Sequence, residues 1–367
     1  MPAQLVFERI AIRAFRNLTV AELDPAPRLN VVFGDNGHGK TSLLEALYLL
    51  ATSKSFRAEK TAEMLQTGAE AALVSARISE AGLVREQRAV LGPKTRSFSA
   101  DGKRVARFAA YAVKTPVVVF HPGDLILASG PAQGRRTLLD RVALFLEPAS
   151  ADHRLRYATA LRERQRSLED RGPRAADLEA YEALLVEHGV ALCQIRERTA
   201  TRVGEALAPA FAKMAPPGLL LEVALKSAGS TDAEAFRRAL IDARPVDLRR
   251  GSASFGPQRD DLELSVEGRS ARRHASQGQQ RMLSLALKVA ELDCVRQARG
   301  AHPILLLDDV SSELDAQRFE AVFTMLRDVP SQVFVTTPRP ELFVMPEVSA
   351  VDRADFSVRS GVVARAR

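Results

Sequence analysis

The chain has 367 residues, of which 46% are hydrophobic and 26% are charged, as is typical of a soluble globular protein with one large or two ordinary domains. No apolar run approaches the roughly 18 residues that a membrane span needs, so we expect a cytoplasmic protein without a membrane partner. The two cysteines, Cys193 and Cys294, lie far apart without a CxxC or Cys/His cluster, so the sequence indicates neither a disulfide framework nor a zinc site.

The net charge of +7 and the pI of about 9.7 are compatible with a nucleic-acid partner, because duplex phosphates attract lysine and arginine through counterion release. Only nine of the 52 basic residues are lysines. This arginine excess has two interpretations, bidentate phosphate binding or a codon bias without functional meaning, and both stay open.

The first 120 residues predict strands around one buried helix. Residues 29–33 form a short apolar strand, and residues 41–50 (TSLLEALYLL) form a helix that is apolar enough to be covered on most sides. Further strand patterns lie at residues 6–12, 71–78, 85–91 and 116–120.

Residues 135–215 show almost no strand signal, and apolar residues recur there at helical spacing. A break at residues 170–173 divides this pattern, which predicts two long antiparallel helices joined by a turn. The first helix is rich in arginines, which either form a solvated face or contact DNA phosphates. These arginines are Arg154, Arg156, Arg162, Arg164 and Arg166.

The last third of the chain returns to strands. A capping box over residues 231–234 begins a further helix, and residues 262–266 alternate as a strand does. Residues 304–307 are apolar throughout, as in the middle of a parallel sheet, and residues 333–335 form a neighbouring strand. The pattern predicts one α/β sheet interrupted by a mainly helical insertion.

Residues 34–41, GDNGHGKT, match the phosphate-binding pattern GxxxxGK[ST], the P-loop. The glycines let successive N–H groups turn inward, and the following helix adds its positive dipole end, so such a loop holds phosphates. We expect Lys40 to reach the β- and γ-phosphates of a nucleotide and the Thr41 hydroxyl to ligate Mg²⁺. A purely structural turn is the alternative, which the strand before the loop and the helix after it disfavour.

Two aspartates follow the buried strand at residues 304–307. Asp308 is expected at the carboxyl end of that strand, where a P-loop protein needs an acidic group near the metal. Asp309 is then available to orient or deprotonate the water that attacks the γ-phosphate. A helix N-cap is the alternative role for these aspartates.

A second anion site is indicated by residues 276–280, SQGQQ, which precede a helical run at residues 281–292. Ser276 suits an N-cap, and Gly278 lets a phosphate approach the start of the helix. Because one P-loop already occupies one side of the nucleotide, this site is either spare or serves a nucleotide bound elsewhere.

The segments GDNGHGKT, SQGQQ and LLLDDVSSELD, in this order and at these separations, resemble those of the ABC-type ATPases, in which an LSGGQ-like signature from one subunit closes over ATP held by the other. Within that superfamily, GPQRDDL at residues 256–262, SQGQQR and DDVSSELD together resemble the RecF family. Shorter similar stretches are FRNL at residues 15–18 and SFR at residues 55–57.

The resemblance implies an ATPase head (lobe I, residues 1–120 and 281–367) with an inserted, mainly helical lobe II (residues 121–280) that includes the signature. It implies an ATP-dependent DNA-binding protein of replication, recombinational repair and the SOS response, which binds single-stranded, gapped and double-stranded DNA. Slow, Mg²⁺-dependent ATP hydrolysis would be stimulated by DNA. The implied partners are DNA, through sequence-independent backbone contacts, a second copy of the chain in an ATP-dependent homodimer, and the RecR and RecO proteins.

The resemblance also assigns roles residue by residue. Ser276, Gly278 and Gln279 would contact the γ-phosphate held by the second copy. Lys40, Asp308 and Asp309 would be catalytic, with Asp308 and Thr41 on Mg²⁺ and Asp309 activating water. The residues that would bind the nucleotide within one chain are Gly34, Asp35, Asn36, Gly37, His38, Gly39, Lys40, Thr41 and Ser42.

Four features depart from the family pattern. Gln258 stands where the family usually has histidine, and Gly123 where glutamate is more common. No Q-loop glutamine is evident near residue 121, and Thr336-Thr337 occupies the place of the switch histidine of many ABC ATPases. Metal coordination and γ-phosphate sensing through the last two elements are therefore not assigned.

Three other classes share part of the pattern. The nucleotide-binding subunit of an ABC transporter is the main alternative, but it would normally be shorter between P-loop and signature, where this chain has about 230 residues. A small-molecule kinase has no use for SQGQQ. An SMC-like structural protein would carry a long coiled coil in place of the short helices predicted here.

Overall fold

The structure is a computed structural model that describes residues 3–216, 218–309, 331–343 and 348–366. Its chain divides into two units, one formed by Met1–Asp124 with Val295–Arg367 and the other by Leu125–Cys294. The lobe boundaries predicted from the sequence, after residues 120 and 280, lie earlier in the chain. At the second boundary a helix runs unbroken over Gln277–Arg299.

The secondary structure of the described residues alternates between the two units. The strands are β1 (Ala3–Phe15), β2 (Leu18–Leu23), β3 (Leu29–Phe33), β4 (Ala72–Glu80), β5 (Leu83–Leu91), β6 (Arg96–Ala100), β7 (Lys103–Arg104), β8 (Val117–Phe120), β9 (Leu221–Lys226), β10 (Asp261–Val266), β11 (Arg269–Ser270), β12 (Ala301–His302), β13 (Ile304–Leu307), β14 (Val333–Thr337), β15 (Arg353–Arg359) and β16 (Val362–Arg365). The α-helices are α1 (Lys40–Thr52), α2 (Phe108–Ala112), α3 (Ala132–Leu146), α4 (Ser150–Arg171), α5 (Leu178–Ala212), α6 (Ala233–Arg250), α7 (Ala271–His274) and α8 (Gln277–Arg299). Short 3₁₀ helices lie at Thr61–Met64, Pro122–Ile126, Pro257–Arg259 and Pro340–Phe343.

The first unit is built on one mixed sheet, with strand order β7-β6-β5-β4-β1-β2-β16-β15-β3-β14-β13-β8 among the described residues. Strands β15, β3, β14, β13 and β8 run parallel to one another. Parallel neighbours end at the same edge of a sheet, so the chain that follows β3, β13 and β8 leaves at that edge. The P-loop and the two aspartates are thereby brought to one place.

Helix α1 packs against the parallel strands, and its residues from Lys40 to Ala51 are buried apart from Thr41. The buried side chains of Leu43, Leu47 and Leu50 join one hydrophobic core with Val32 and Phe334. A helix that is apolar all round is stable only when it is covered on most sides. The sequence-based prediction of this helix at residues 41–50 is confirmed.

The antiparallel strands β1 and β4 to β6 of the first unit have one buried face. Ile10, Val74, Ala89 and Phe98 point into the core, and they alternate with polar residues on the other face. Strand β7 lies at the outer edge of this part of the sheet.

The second unit is mainly helical and includes a small sheet of order β11-β10-β9. Helices α4 and α5 are the two predicted long helices, and they run antiparallel, since His153 contacts His188 while Ser167 contacts Asp177. A fully buried Arg164 joins α4 to α5 and α6 through ion pairs with Glu182 (3.0 Å) and Asp247 (2.7 Å).

Two features of the second unit differ from the sequence-based expectation. Helix α3 is separate from α4, whereas the pattern predicted two helices between residues 135 and 215. The N-cap of α6 is Asp232, whose carboxylate accepts from the N–H of Ala235, and not Thr231 as the capping box implied. Asp232 is the stronger acceptor of the two, which explains the shift by one residue. In the described part of the chain, no helix has the length and apolar character needed to cross a membrane.

Candidate nucleotide-binding site

The P-loop connects β3 to α1, and its Lys40 side chain folds back over the loop. The Lys40 ammonium donates to the carbonyl oxygens of Gly34 (2.7 Å) and Asp35 (3.0 Å) and to Oδ1 of Asn36 (3.4 Å). Gly39 begins the helix in the left-handed region, with φ of 118°, which glycine alone adopts without strain. The loop therefore presents its lysine and the first N–H groups of α1 at one point.

A cleft of about 810 Å³ lies along the P-loop within the first unit. Its polar lining includes six of the predicted nucleotide-binding residues and the predicted water-activating Asp309. The lining residues are Arg16, Asn17, Thr19, Asn36, Gly37, Gly39, Lys40, Thr41, Ser42, Arg57, Glu63, Leu65, Gln66, Thr67, Asp309 and Ser360. This volume falls within the range of small-molecule sites.

Thr41 and Asp308, the two predicted metal ligands, are in direct contact. The Thr41 hydroxyl donates to Oδ1 of Asp308 at 2.8 Å, and the Thr336 hydroxyl donates to the same oxygen at 2.8 Å. Burial raises the pKa of Asp308 above its ordinary value, and the two hydroxyl bonds oppose that shift. The backbone N–H of Asp309 donates to the Thr336 hydroxyl at 2.9 Å, so Thr336 connects both aspartates.

The donor set at this point fits Mg²⁺. A threonine hydroxyl and one carboxylate are hard oxygen ligands, and a cation there would balance the buried charge of Asp308. Within the described ranges, no group of three or more His, Cys, Asp or Glu side chains is arranged to hold a metal. That is compatible with Mg²⁺, which typically takes one or two protein ligands and completes its shell with phosphate and water oxygens.

The sequence did not assign Arg16, Arg57 or Glu45 to the site, although the stretches FRNL and SFR contributed to the resemblance. Glu45, on α1, is fully buried and accepts two bonds from Arg16 (3.0 and 2.8 Å) and one from Arg57 (3.3 Å). The Ser55 hydroxyl donates to the same carboxylate at 2.6 Å. Both arginines line the cleft, and Glu45 holds their guanidinium groups in place.

Asn17 is another site residue that the sequence did not assign, although it lies in the stretch FRNL. Its amide donates to the carbonyl oxygen of Gly37 at 2.8 Å and accepts from the Ser42 hydroxyl at 2.8 Å. The turn between β1 and β2 therefore stabilises both the P-loop and the start of α1. The nearest sequence signal was the polar pair Arg16-Asn17 in an otherwise alternating strand pattern.

The signature residues lie in the second unit, at the start of α8. The Ser276 hydroxyl accepts from the N–H of Gln279 (3.2 Å), and the Gln279 side chain accepts from the N–H of Ser276 (2.9 Å). This reciprocal pair is a capping box, so the predicted N-cap role of Ser276 is confirmed. The Gln279 side-chain oxygen is used in this cap, and Gly278 lies between the two residues.

The comparison with known proteins shows the family of the chain. The family model RecF/RecN/SMC N terminal domain matches residues 6–353. The DNA replication and repair protein RecF of Anaeromyxobacter sp. (strain Fw109-5) is 37% identical over 364 residues, which cover 96% of this chain and 97% of the relative. The chain belongs to the RecF family of DNA replication and repair proteins. The family member from Myxococcus xanthus (strain DK1622) is also 37% identical, over 366 residues, covering 96% of this chain and 95% of its own.

Solved structures agree at the level of the fold. The recombination mediator protein RecF-ATPrS in the RecFOR pathway superposes with a TM-score of 0.87 at 25% identity, covering 100% of this chain and 99% of that one. The Smc head domain derived from Pyrococcus furiosus gives 0.55 at 16% identity, with 99% and 96% coverage. The predicted α/β fold of an ABC-type ATPase head with helical regions is confirmed.

Proposed function

We propose that this RecF-family protein is a cytoplasmic, ATP-driven switch that binds DNA during replication, recombinational repair and the SOS response. The observation that carries the proposal is the contact between the P-loop and the buried strand β13. Thr41 bonds to Asp308, and Asp309 lines the same cleft as Lys40. A phosphate group on the loop would thus lie beside both acidic residues, as nucleotide hydrolysis requires.

In this proposal ATP is held by the loop residues 34–42, with Lys40 neutralising the β- and γ-phosphates. Mg²⁺, held by Thr41 and Asp308, would supply positive charge to the phosphate oxygens. Asp309 orients the attacking water and accepts its proton. Asp309 is one methylene shorter than glutamate, so it reaches less far toward the water, which supports slow hydrolysis suited to a switch.

We further propose that two copies assemble around two nucleotides, with Ser276, Gly278 and Gln279 of each copy contacting the γ-phosphate in the other. The capped start of α8 supports this role, because a helix N-terminus directs N–H groups and its positive dipole end at an anion. DNA stimulation of hydrolysis and assembly with RecR and RecO are parts of the same proposal. Their support is membership of the family and the RecFOR pathway named for the similar structure.

Two variants test the switch, because they should act in opposite directions on nucleotide-dependent DNA binding. Lys40→Ala removes the phosphate-binding charge, so we expect nucleotide affinity to fall about 10- to 100-fold and the effect of ATP on DNA binding to disappear. Asp309→Asn keeps the site but removes the base, so we expect normal ATP binding, turnover lower by about 100-fold and prolonged DNA binding.

The measurement is a fluorescence anisotropy titration of gapped DNA with and without ATP, beside a phosphate-release assay. Rapid hydrolysis by Asp309→Asn would remove Asp309 from the mechanism. If the unmodified protein bound DNA with the same affinity with and without ATP, the proposed switch would be refuted.

A further inference from the structure

A concentration of exposed positive charge lies on and beside strands β5 to β7 of the first unit. Residues 83–107 contain seven lysines and arginines and two acidic residues. The net charge of the whole chain is only +7. Arg85 is largely buried and bonds to Glu80 at 3.1 Å. The six other cations are exposed: Arg88, Lys94, Arg96, Lys103, Arg104 and Arg107.

Most of these exposed cations form no ion pair with a carboxylate in the described part of the chain. Arg96 stacks over Phe108 and donates to the carbonyl oxygen of Ser53. Among the described residues, the side chains of the five others have neither an ion-pair nor a hydrogen-bond partner; they are Arg88, Lys94, Lys103, Arg104 and Arg107. Such a cluster repels itself, so binding an anion on this face relieves the repulsion.

The sheet register aligns part of this charge on one face. Ser99 pairs with Arg88 on one side and with Arg104 on the other, and paired residues point to the same side of a sheet. Neighbouring strands are about 4.8 Å apart, so Arg88 and Arg104 stand about 10 Å apart across a serine. The next residue, Phe98, points into the core on the opposite face. The result is two arginines on one face of the sheet with a small hydroxyl side chain between them.

The arginines of α4, which the sequence also offered as phosphate contacts, are partly neutralised. Arg164 is fully buried between Glu182 and Asp247, and Arg154 pairs with Asp140 at 3.3 Å. Arg164 is therefore unable to reach an external phosphate, and its burial fits neither of the two alternatives left open for the α4 arginines. Among the described residues, Arg88 and Arg104 form no such ion pair.

We propose that this face, named here the β5–β7 face and defined by Arg88 and Arg104, binds the phosphate backbone of double-stranded DNA. The inference rests on the proposed function and assigns it a surface. Lysines on an edge strand also discourage sheet-to-sheet aggregation, but Arg88 lies two strands in from that edge. Guanidinium groups bind phosphates bidentately and without reading bases, which fits sequence-independent binding.

The test is the salt dependence of duplex binding by the full-length protein with a non-hydrolysable ATP analogue. Each lost phosphate contact lowers the slope of log K against log salt by about 0.9 for duplex DNA, so Arg88→Ala/Arg104→Ala should lower it by almost 2 and weaken binding at least about tenfold. Binding of the analogue itself should stay unchanged. Arg88→Lys/Arg104→Lys, which keeps the charges, should keep most of the slope.

The matched control removes the same charge from exposed positions on α4: Arg156→Ala/Arg162→Ala. We expect its slope to stay close to that of the unmodified protein. A double β5–β7 variant with the unmodified slope, a control that loses as much, or a loss confined to single-stranded DNA would overturn the inference. Failure of the unmodified protein to bind DNA would refute the proposed function instead.

Discussion

Thr336 shows how one hydroxyl can organise an acidic pair. The Thr336 hydroxyl donates its proton to the Asp308 carboxylate, and its oxygen accepts from the N–H of Asp309. The side chain is fully buried. Asp309 itself has a positive φ of 48°, which is uncommon for a residue other than glycine. The Thr336 bond therefore holds Asp309 in a conformation that the backbone alone does not favour.

Thr336→Val is the corresponding prediction, because valine keeps the shape and removes the hydroxyl. The Asp309 N–H then loses its buried acceptor at a cost of about 1–3 kcal/mol, and we expect ATP turnover to fall about tenfold or more while ATP binding changes little. Turnover and nucleotide affinity are measured separately by phosphate release and by calorimetry. Thr336→Ser keeps the hydroxyl and should retain most of the activity; equal losses in both variants would contradict the role.

The site residues that the sequence predicted belong to a local motif, whereas those that it missed depend on contacts between distant parts of the chain. Lys40 and Thr41 belong to a local motif whose spacing alone defines the chemistry. Arg16 and Glu45 are 29 residues apart and meet only after the β1–β2 turn folds onto α1, so no local pattern predicted that contact. Thr336 was noticed only as a departure from the family pattern, and its bonds to two aspartates depend on the parallel order of β13 and β14.

At the level of elements, the P-loop is fixed by its contact with the β15–β16 hairpin. A Cβ atom on Gly34 would lie 2.3 Å from the carbonyl oxygen of Val358, a distance that real side chains do not reach. Gly37, by contrast, has no atom within 4 Å of its Cβ position. Both glycines have positive φ, of 148° and 81°, so they differ mainly in the available space.

Gly34→Ala and Gly37→Ala therefore form a matched pair. Backbone strain costs about 1–2 kcal/mol for alanine in the left-handed region, and Gly34→Ala adds a backbone clash. We expect Gly37→Ala to bind ATP with moderately lower affinity and Gly34→Ala to lose binding and to unfold at a clearly lower temperature. Calorimetric ATP titration and thermal unfolding measure both effects. If the two variants behaved alike, the hairpin contact would have no part in shaping the loop.

The paired helices α4 and α5 contain a histidine that predicts a pH dependence. His188 is buried, its Nδ1 lies 3.2 Å from Nδ1 of His153, and burial lowers its pKa below the ordinary value. The nearby His153 and Arg156 lower the pKa further, while Glu187 opposes them. Because the unfolded chain takes up the proton first, stability is complete above the unfolded pKa and is lost as the pH falls below it.

We therefore expect the thermal midpoint of the protein to decrease from about pH 7.5 to about pH 5.5, and His188→Gln to make that decrease smaller. His302, whose pKa burial also lowers, keeps part of the dependence in the variant. Unfolding followed by calorimetry at several pH values measures the slope. His274→Gln, which removes an exposed imidazole from the same unit, controls for the substitution; a His188→Gln slope as steep as the unmodified one would contradict the assignment.

Elements with a strong local signal were predicted closely, and the others were not. The strands Leu29–Phe33 and Ile304–Leu307 coincide with the apolar runs, since a strand covered on both faces is apolar throughout. Helix α3 is separated from α4 by residues 147–149, and Pro148 in that gap is a break signal that the sequence-based prediction did not use. The pairing of the terminal hairpin with the P-loop strand depends on contacts across most of the chain, which periodicity does not encode.

At the scale of the whole molecule, the proposed function depends on a second copy, whose signature would complete the site at the P-loop of the first. Ser276 has two possible tasks at that point, the cap of α8 and the contact with a γ-phosphate. The cap is visible in the bonds between Ser276 and Gln279, whereas the phosphate contact is proposed. A substitution that removes only the cap separates the two tasks.

Ser276→Arg adds a long cation where the phosphate of the second copy would approach, and it also removes the cap. Ser276→Ala removes the cap alone, at a cost of about 1 kcal/mol, without filling the space. We expect both variants to bind ATP as monomers, Ser276→Ala to form the ATP-dependent dimer at somewhat higher protein concentration, and Ser276→Arg to stay monomeric. Sedimentation or light scattering with a non-hydrolysable analogue gives the masses. A dimer of Ser276→Arg at the unmodified affinity would mean that residues 276–279 face solvent in the assembled state, and the shared-nucleotide arrangement would have to be abandoned.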